Sequence, residues 1–309
     1  MFDYTDYMTS CRIVIEREAE FESDQLLSAL VRLQQVLCKM HSKLPKAPFD
    51  GSEPVGFSGM YLMAMTTFRT ELEDLVSKFP SEIRKNCLFE SVLKTRLAML
   101  TEPTDLLDVC YRGMLTKVYE PAIYTTPSVL AGSSESAWRS EALWCCLEAS
   151  KNCLVAYCDI PVDELPYLPC MAFSFFSYTV VTTTRLLFIS DSDWDQAVAR
   201  RTMDFVAVTR RLSDRFDEAD QVAARAEIRC KKNKCVEDGR SVMGLSRDKL
   251  RWINSWYLSK QGVAEQEPQA AEAELGPVEG GDPRGSFPLV ELDNEWWGAM
   301  LLGDYEFGG

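Results

Sequence analysis

Histidine is almost missing from this 309-residue sequence, in which His41 stands alone. Cys–His or Ser–His catalysis would have to run through that residue, and nothing near it looks like a nucleophile elbow. A capping or solvent-facing place at a helix end suits it better. Cysteine is plentiful, at 11 residues, but the C-x₂-C pairs typical of a structural zinc site do not occur. Cys146 and Cys153 are separated by six residues inside a helical pattern, and Cys230 and Cys235 bracket Lys231-Lys232-Asn233-Lys234 with no partner pair beside them. Glycine-rich phosphate loops of the common kinds are missing too. So is a basic amino-terminal region, since Met1-Phe2-Asp3-Tyr4-Thr5-Asp6 is acidic where an export signal carries positive charge. The expectation is reduced thiols packed as small hydrophobes, in cytosol or nucleus, with no metal, cofactor or catalytic group.

Positive charge is scarce, and unevenly so. The net charge is −14, and from Gln261 to the end 11 acidic residues face the single base Arg284. Most of the excess therefore sits in the last fifth of the chain, and the body before it is nearly balanced. Nucleic-acid affinity rests on Lys and Arg neutralising phosphates, so direct DNA binding is not expected from these residues. The basic run Arg229-Cys230-Lys231-Lys232-Asn233-Lys234 offers at most an import signal or a weak anionic contact.

Long uninterrupted apolar runs are lacking as well. Leu168 to Ile189 comes nearest, with Phe173, Phe175, Phe176, Val180, Val181, Leu186, Leu187 and Phe188, but Ser174, Ser177, Thr179, Thr182, Thr183, Thr184 and Arg185 interrupt it. A membrane span wants about 20 predominantly apolar residues, so a buried central helix is expected here.

What is present is helical periodicity. After Ser23-Asp24 as cap, Leu26, Leu30, Leu33, Leu37 and Met40 recur at alternating steps of four and three. Tyr61, Ala64, Met65, Phe68, Leu72, Leu75 and Phe79 share a second face that Pro80 closes. Further helices are predicted over 82–100, from Pro103 toward Tyr119, over 136–157, across the apolar segment, from Trp194 to about Ile228, and around Leu245 to Leu258. In the 136–157 helix, Trp138, Ala142, Cys145, Cys146, Ala149, Cys153 and Ala156 form a face of mostly small residues, which predicts close packing inside a bundle. Val180-Val181-Thr182-Thr183-Thr184 is the one β-prone window. The fold class is all-α: a bundle-like domain over 1–260, a flexible acidic linker over 261–290, and a short acidic–aromatic helix or tail over 291–309.

Two constellations have chemical content. Asp191-Ser192-Asp193-Trp194-Asp195 places three carboxylates within five residues, as in all-α enzymes that hold magnesium on aspartate clusters. The second metal motif such enzymes need is not found, and a polar turn capping the next helix explains the same residues. In the tail, acids surround Trp296, Trp297, Leu301, Leu302, Tyr305 and Phe307, the composition of acidic–hydrophobic activation segments. These six are the candidate partner-binding residues. The alternative is that a short terminal helix docks Trp296 and Leu301 on the chain's own bundle.

Several stretches, in this order, resemble one family. They are Cys11 to Glu18, Ser23-Asp24-Gln25-Leu26, Leu30-Val31-Arg32-Leu33-Gln34, Trp138-Arg139-Ser140-Glu141-Ala142-Leu143 and Cys146-Leu147-Glu148-Ala149-Ser150-Lys151. Ile160-Pro161, Leu168-Pro169, Trp194-Asp195 and the closing Asn294-Glu295-Trp296-Trp297 with Leu301-Leu302 complete the series. Together they resemble the regulatory domain of fungal binuclear zinc-cluster (Zn2Cys6) transcription factors, without the six-cysteine cluster. The resemblance implies a nuclear, non-enzymatic regulator of a metabolic or biosynthetic gene set. Its implied partners are the transcription machinery or a DNA-bound zinc-cluster protein, a homo- or heterodimer, and a small-molecule effector. A ligand-sensing or dominant-negative dimerisation partner is the alternative role.

Overall fold

Helices make up nearly all the structure in the computed structural model, which describes residues 5–44, 56–79, 106–127, 133–225 and 241–270. Two units emerge, Met1–Pro161 with Leu168–Met203, and Val162–Tyr167 with Asp204–Gly309. The all-α class expected from periodicity is what the chain adopts. Among the described residues the strands are one parallel pair, β1 (Gly56–Phe57) against β2 (Thr126–Pro127).

In the first unit, α1 (Asp6–Glu18) and α2 (Glu22–Lys43) pack as a hairpin. Ala19 turns the chain between them in the left-handed region, at φ 40°. The carboxylate of Glu16 ties the hairpin together, accepting from Arg12 at 2.7 Å, from Arg32 at 2.8 Å and from the Ser28 hydroxyl. The predicted cap at Ser23-Asp24 falls two residues late. Phe21 is the N-cap residue, and its N–H donates to the Asp24 carboxylate at 3.0 Å. The buried stripe of α2 is Ala29, Leu33, Val36, Leu37 and Met40, with Leu26 and Leu30 half-buried. His41, expected exposed, is half-buried and its Nδ1 donates to the Leu37 carbonyl at 3.0 Å. Helix α3 (Gly59–Ser77) buries Met65, Phe68 and Leu72 as its periodicity implied, but Val76 where Leu75 was expected, and Tyr61, Ala64 and Leu75 are half-buried. The helix predicted over 82–100 lies outside the described residues.

The core of this unit is formed by α4 (Leu106–Tyr119), α6 (Ser133–Asp159) and α7 (Cys170–Phe188), each packed on the other two, with the single turn α5 (Pro121–Tyr124) leading out of α4. Close packing is achieved at Gly113 of α4, where a Cβ would lie 2.7 Å from Cβ of Phe175. The apolar segment is α7, buried as expected, and no helix among the described residues is long and apolar enough to cross a membrane. Its β-prone window is helical because packing against α4 and α6 buries it on both sides and overrides local propensity, and three threonine hydroxyls of the helix satisfy themselves by donating back along it. Thr179 reaches the Phe175 carbonyl, Thr183 that of Thr179 and Thr184 that of Val181, each at 2.7 Å. Helix α8 (Gln196–Thr202) then packs on α7.

The long helix expected from Trp194 to Ile228 is broken in two. Met203 ends α8, and the Asp204 carboxylate accepts from the Ala207 N–H at 2.9 Å, starting α9 (Phe205–Arg225). In the second unit α9 lies along α10 (Val242–Ala270), with the 3-10 turn Leu165–Tyr167 against both. Phe205, Leu212 and Phe216 meet Leu250, Ile253 and Tyr257 in its core. The linker start at 261 falls inside α10, whose Ala, Glu and Gln residues favour helix.

Candidate functional site

Arg139 of α6 is fully buried, at 0% exposure, inside a sequence stretch that resembled a regulatory domain. A guanidinium there is stable only if its donors are met. Its Nε donates to the Ala122 carbonyl of α5 at 3.0 Å, Nη1 to Asp193 Oδ1 at 2.7 Å, and Nη2 to Asp191 Oδ2 at 2.7 Å. The carboxylates differ: the Asp193 side chain is 3% exposed and that of Asp191 44%. One side chain thus pins the start of α6, the end of α4–α5 and the loop after α7. Beside it the Trp194 indole donates to the Leu186 carbonyl at 2.9 Å and stacks 4.7 Å from Trp144.

This arrangement accounts for the aspartate cluster. Asp191 and Asp193 face Arg139, while Asp195 caps α8 by accepting from the Val198 N–H at 2.9 Å. The capping role expected for the cluster thus belongs to Asp195. Among the described residues no group of three His, Cys, Asp or Glu side chains is placed to hold a metal ion.

A second polar cluster joins α4, α5 and α7. Lys117 Nζ sits 3.4 Å from the centre of the Tyr178 ring, Glu120 accepts from the Tyr124 hydroxyl at 2.8 Å, and Arg185 donates to that same hydroxyl. All five side chains are half-buried. Burial lowers the Lys117 ammonium from its ordinary range, opposed by Glu120. Burial, then Glu120, pushes both the Tyr124 and Tyr178 phenols well above theirs. The charge of Arg185, out of place in an apolar run, has its partner here.

Among the described cysteines, Cys110, Cys146, Cys153 and Cys158 are buried as packed hydrophobes, whereas Cys170 is exposed. Cys146 and Cys153, the zinc-like spacing, point across to α4, with Sγ donating to the Thr116 carbonyl at 3.6 Å and the Val109 carbonyl at 3.7 Å. Burial pushes the Cys153 thiol up to about 12, and raises Cys110 and Cys146 as well. All eight described cysteines are free thiols.

The sequence placed Trp138 on the inner face of α6, whereas Trp138 is 38% exposed and lies over Gly59, and its neighbour Arg139 points inward. The signal for Arg139 was a different stripe, Arg139, Leu143, Cys146, Ser150, Cys153 and Tyr157, all buried. The candidate partner-binding residues Trp296, Trp297, Leu301, Leu302, Tyr305 and Phe307 lie outside the described residues, as does the basic run 229–234.

The chain is similar to a curated protein of Aspergillus terreus (strain NIH 2624 / FGSC A1156) named "Transcription factor", with 24% identity over 238 residues. The match covers 74% of this chain and 36% of that protein, so the chain spans about a third of its relative's length. No family model matches the sequence, and no solved structure matches it.

Proposed function

We propose that this chain is a regulator of transcription that acts in the nucleus through protein contacts. The observation that carries the proposal is the similarity, over three quarters of the chain, to a fungal protein named a transcription factor. The finer assignment, to the regulatory domain of zinc-cluster factors, is supported by the order of motifs from Cys11 to Leu302 and by the helical body in which those from Cys11 to Asp195 sit. The contacting element in this proposal is the segment 291–309, whose aromatic and aliphatic residues would bury in a partner's groove while its acids keep it soluble. Net charge of −14 favours protein over phosphate as the partner of these residues. The relative's name points away from enzyme chemistry, and so does the engagement of Asp191, Asp193 and Asp195 by Arg139 and a helix end.

The test is a fusion of the full chain to a heterologous DNA-binding module, read on a reporter in a fungal host. Reporter output should change by about tenfold or more, and revert when Trp296, Trp297 and Leu301 are all replaced by Ala, since such anchors carry most of an interface's energy. Output equal to that of the DNA-binding module alone would remove the proposal. Specific binding of duplex DNA by the purified chain at physiological salt would remove its protein-contact form.

A second role, ligand sensing, is favoured by the half-buried cluster of Lys117, Glu120, Tyr124, Tyr178 and Arg185, which combines two cations, a carboxylate and two phenols on three elements. Small phenolic acids are the probe class its chemistry suits. A thermal shift that Lys117→Met abolishes would support it, and no shift with any of them would count against it.

A further inference from the structure

Lys39 and Lys78, on the surface of the first unit, each hold a carboxylate, Glu71 at 2.6 Å and Asp74 at 2.5 Å. Lys117 of α4 does not. It is half-buried, no carboxylate is in ion-pair contact with it among the described residues, and its Nζ lies 3.4 Å from the centre of the Tyr178 ring. A ring face answers an ammonium by about 0.5–2 kcal/mol, less than a charge gives up on leaving water. Burial accordingly lowers this amine from its ordinary range, with Glu120 acting against it. A lysine that burial relieves of its proton is the form that attacks a carbonyl carbon.

The surroundings supply what such an attack needs. Glu120 follows Lys117 by three residues, on the same side of the chain's helical path. Its carboxylate accepts from the Tyr124 hydroxyl at 2.8 Å, and Arg185 donates to that hydroxyl in turn, so proton-carrying groups run from one to the next. On α7, Tyr178, Thr182 and Arg185 are spaced four and three apart and share a face. The Thr182 hydroxyl is buried, at 1% exposure for the residue, and has no hydrogen-bond partner among the described residues. A buried hydroxyl left unmet costs about 1–3 kcal/mol, which a hydroxyl of a bound molecule would recover. The Arg185 guanidinium lies 5.4 Å from the centre of the Tyr124 ring, so an aromatic face stands on each side of the cluster.

We propose that Lys117 captures a small hydroxylated aromatic aldehyde as an imine, with the ring held among Tyr178, Tyr124 and Arg185. The neutral amine adds to the aldehyde carbon, forming the C–N bond while the carbonyl π pair moves to oxygen. Both amine hydrogens then pass in turn from nitrogen to that oxygen through Glu120, and it leaves as water as the C=N bond closes. No oxidant or reductant is consumed. The proposal rests on the ligand-sensing reading of this cluster for the place of binding, and adds a covalent step that an acid bound there would not undergo.

The experiment treats the full chain with 4-hydroxybenzaldehyde and sodium cyanoborohydride at pH 7, which fixes each imine as a secondary amine, and ranks the labelled lysines by peptide mass mapping. Lys117 should label at least about tenfold faster than Lys39 or Lys78, although both are more exposed, and should lose that advantage in urea. Lys117→Arg, which keeps a cation over Tyr178, should remove this site of labelling and no other. Glu120→Gln should slow labelling at Lys117 about tenfold or more and leave Lys78 unchanged. A smaller ratio to Lys78 in the native chain, or an advantage that survives unfolding, would overturn the proposal. A thermal shift with 4-hydroxybenzoate but no selective labelling would also overturn it and leave the ligand-sensing reading standing. Selective labelling with no shift would support it and count against the binding of acids.

Discussion

Replacing Arg139 by Met keeps the volume of the side chain and deletes its charge, and the structure fixes how the cost divides. Asp193 is left as a carboxylate with a 3% exposed side chain and no cation, a situation that costs about 3–5 kcal/mol. Asp191, at 44% exposure, recovers water and should cost under about 1 kcal/mol. The Ala122 carbonyl loses a charged donor at 3.0 Å, worth about 1–3 kcal/mol. The sum, about 4–9 kcal/mol, is a large fraction of an ordinary domain's stability. Urea denaturation followed by near-ultraviolet circular dichroism reads it locally, because Trp144 and Trp194 stack at 4.7 Å next to the clamp. Asp193→Asn and Asp191→Asn complete two double-mutant cycles with Arg139→Met. Coupling should reach about 3 kcal/mol for Asp193 and stay below about 1 kcal/mol for Asp191. A loss under about 1 kcal/mol for Arg139→Met, or stronger coupling to Asp191 than to Asp193, would refute the assignment.

Gly113→Ala should destabilise the first unit by about 1–3 kcal/mol in the same assay, since the new methyl meets Phe175 at 2.7 Å where two helix backbones approach. Ala19→Gly should slow amide exchange in α1 and α2 by stabilising their turn by about 0.5–1 kcal/mol, because Ala19 holds φ 40° and glycine does not resist it. Stability should fall on going from pH 9 to pH 11. The Cys153 thiol ionises near 9 when unfolded and only near 12 when folded, so its contribution is complete below 9 and drains away as pH rises toward 12. Cys153→Ala should flatten that slope relative to wild type. In pulsed alkylation with peptide mapping, exposed Cys170 should react at least about a hundredfold faster than buried Cys110, Cys146 or Cys153.

How far the fold could be read from the sequence depended on how one-sided each helix is. Helices α2 and α3 bury one face, and the spacing of Leu33, Leu37, Met40, Met65, Phe68 and Leu72 announced it. Helix α6 mixes polar and apolar residues around its whole circumference, and α4 and α7 both pack on it, so period alone could not choose between Trp138 and Arg139 as the inward residue. The break at Met203-Asp204 was hidden because apolar residues continue in step on both sides of it, and only the capping carboxylate of Asp204 marks the stop. Helix α1 went unpredicted since it buries no residue fully and leans on Glu16 rather than on an apolar stripe. The aspartate cluster was legible as a polar turn, but not its partner: Arg139 lies more than 50 positions earlier, and no local pattern records a contact of that span.

Charge placement then bears on which parts of this chain are left to meet a partner. Several charges of the described helices are met in pairs, as with Arg12, Glu16 and Arg32, Lys39 with Glu71, and Arg139 with its two aspartates. Each such pair answers its own charge and leaves less for a distant partner. The acids after Gln261 face a single base in their own segment, so their field has to be answered by something else. Within a Debye length of about 8 Å at physiological salt, only a surface in contact can answer it. Activity through the tail should accordingly fall as ionic strength rises, because the partner contact proposed for residues 291–309 is screened. A reporter output indifferent to the charge-neutralising replacement of its five acids would refute the electrostatic part of that contact.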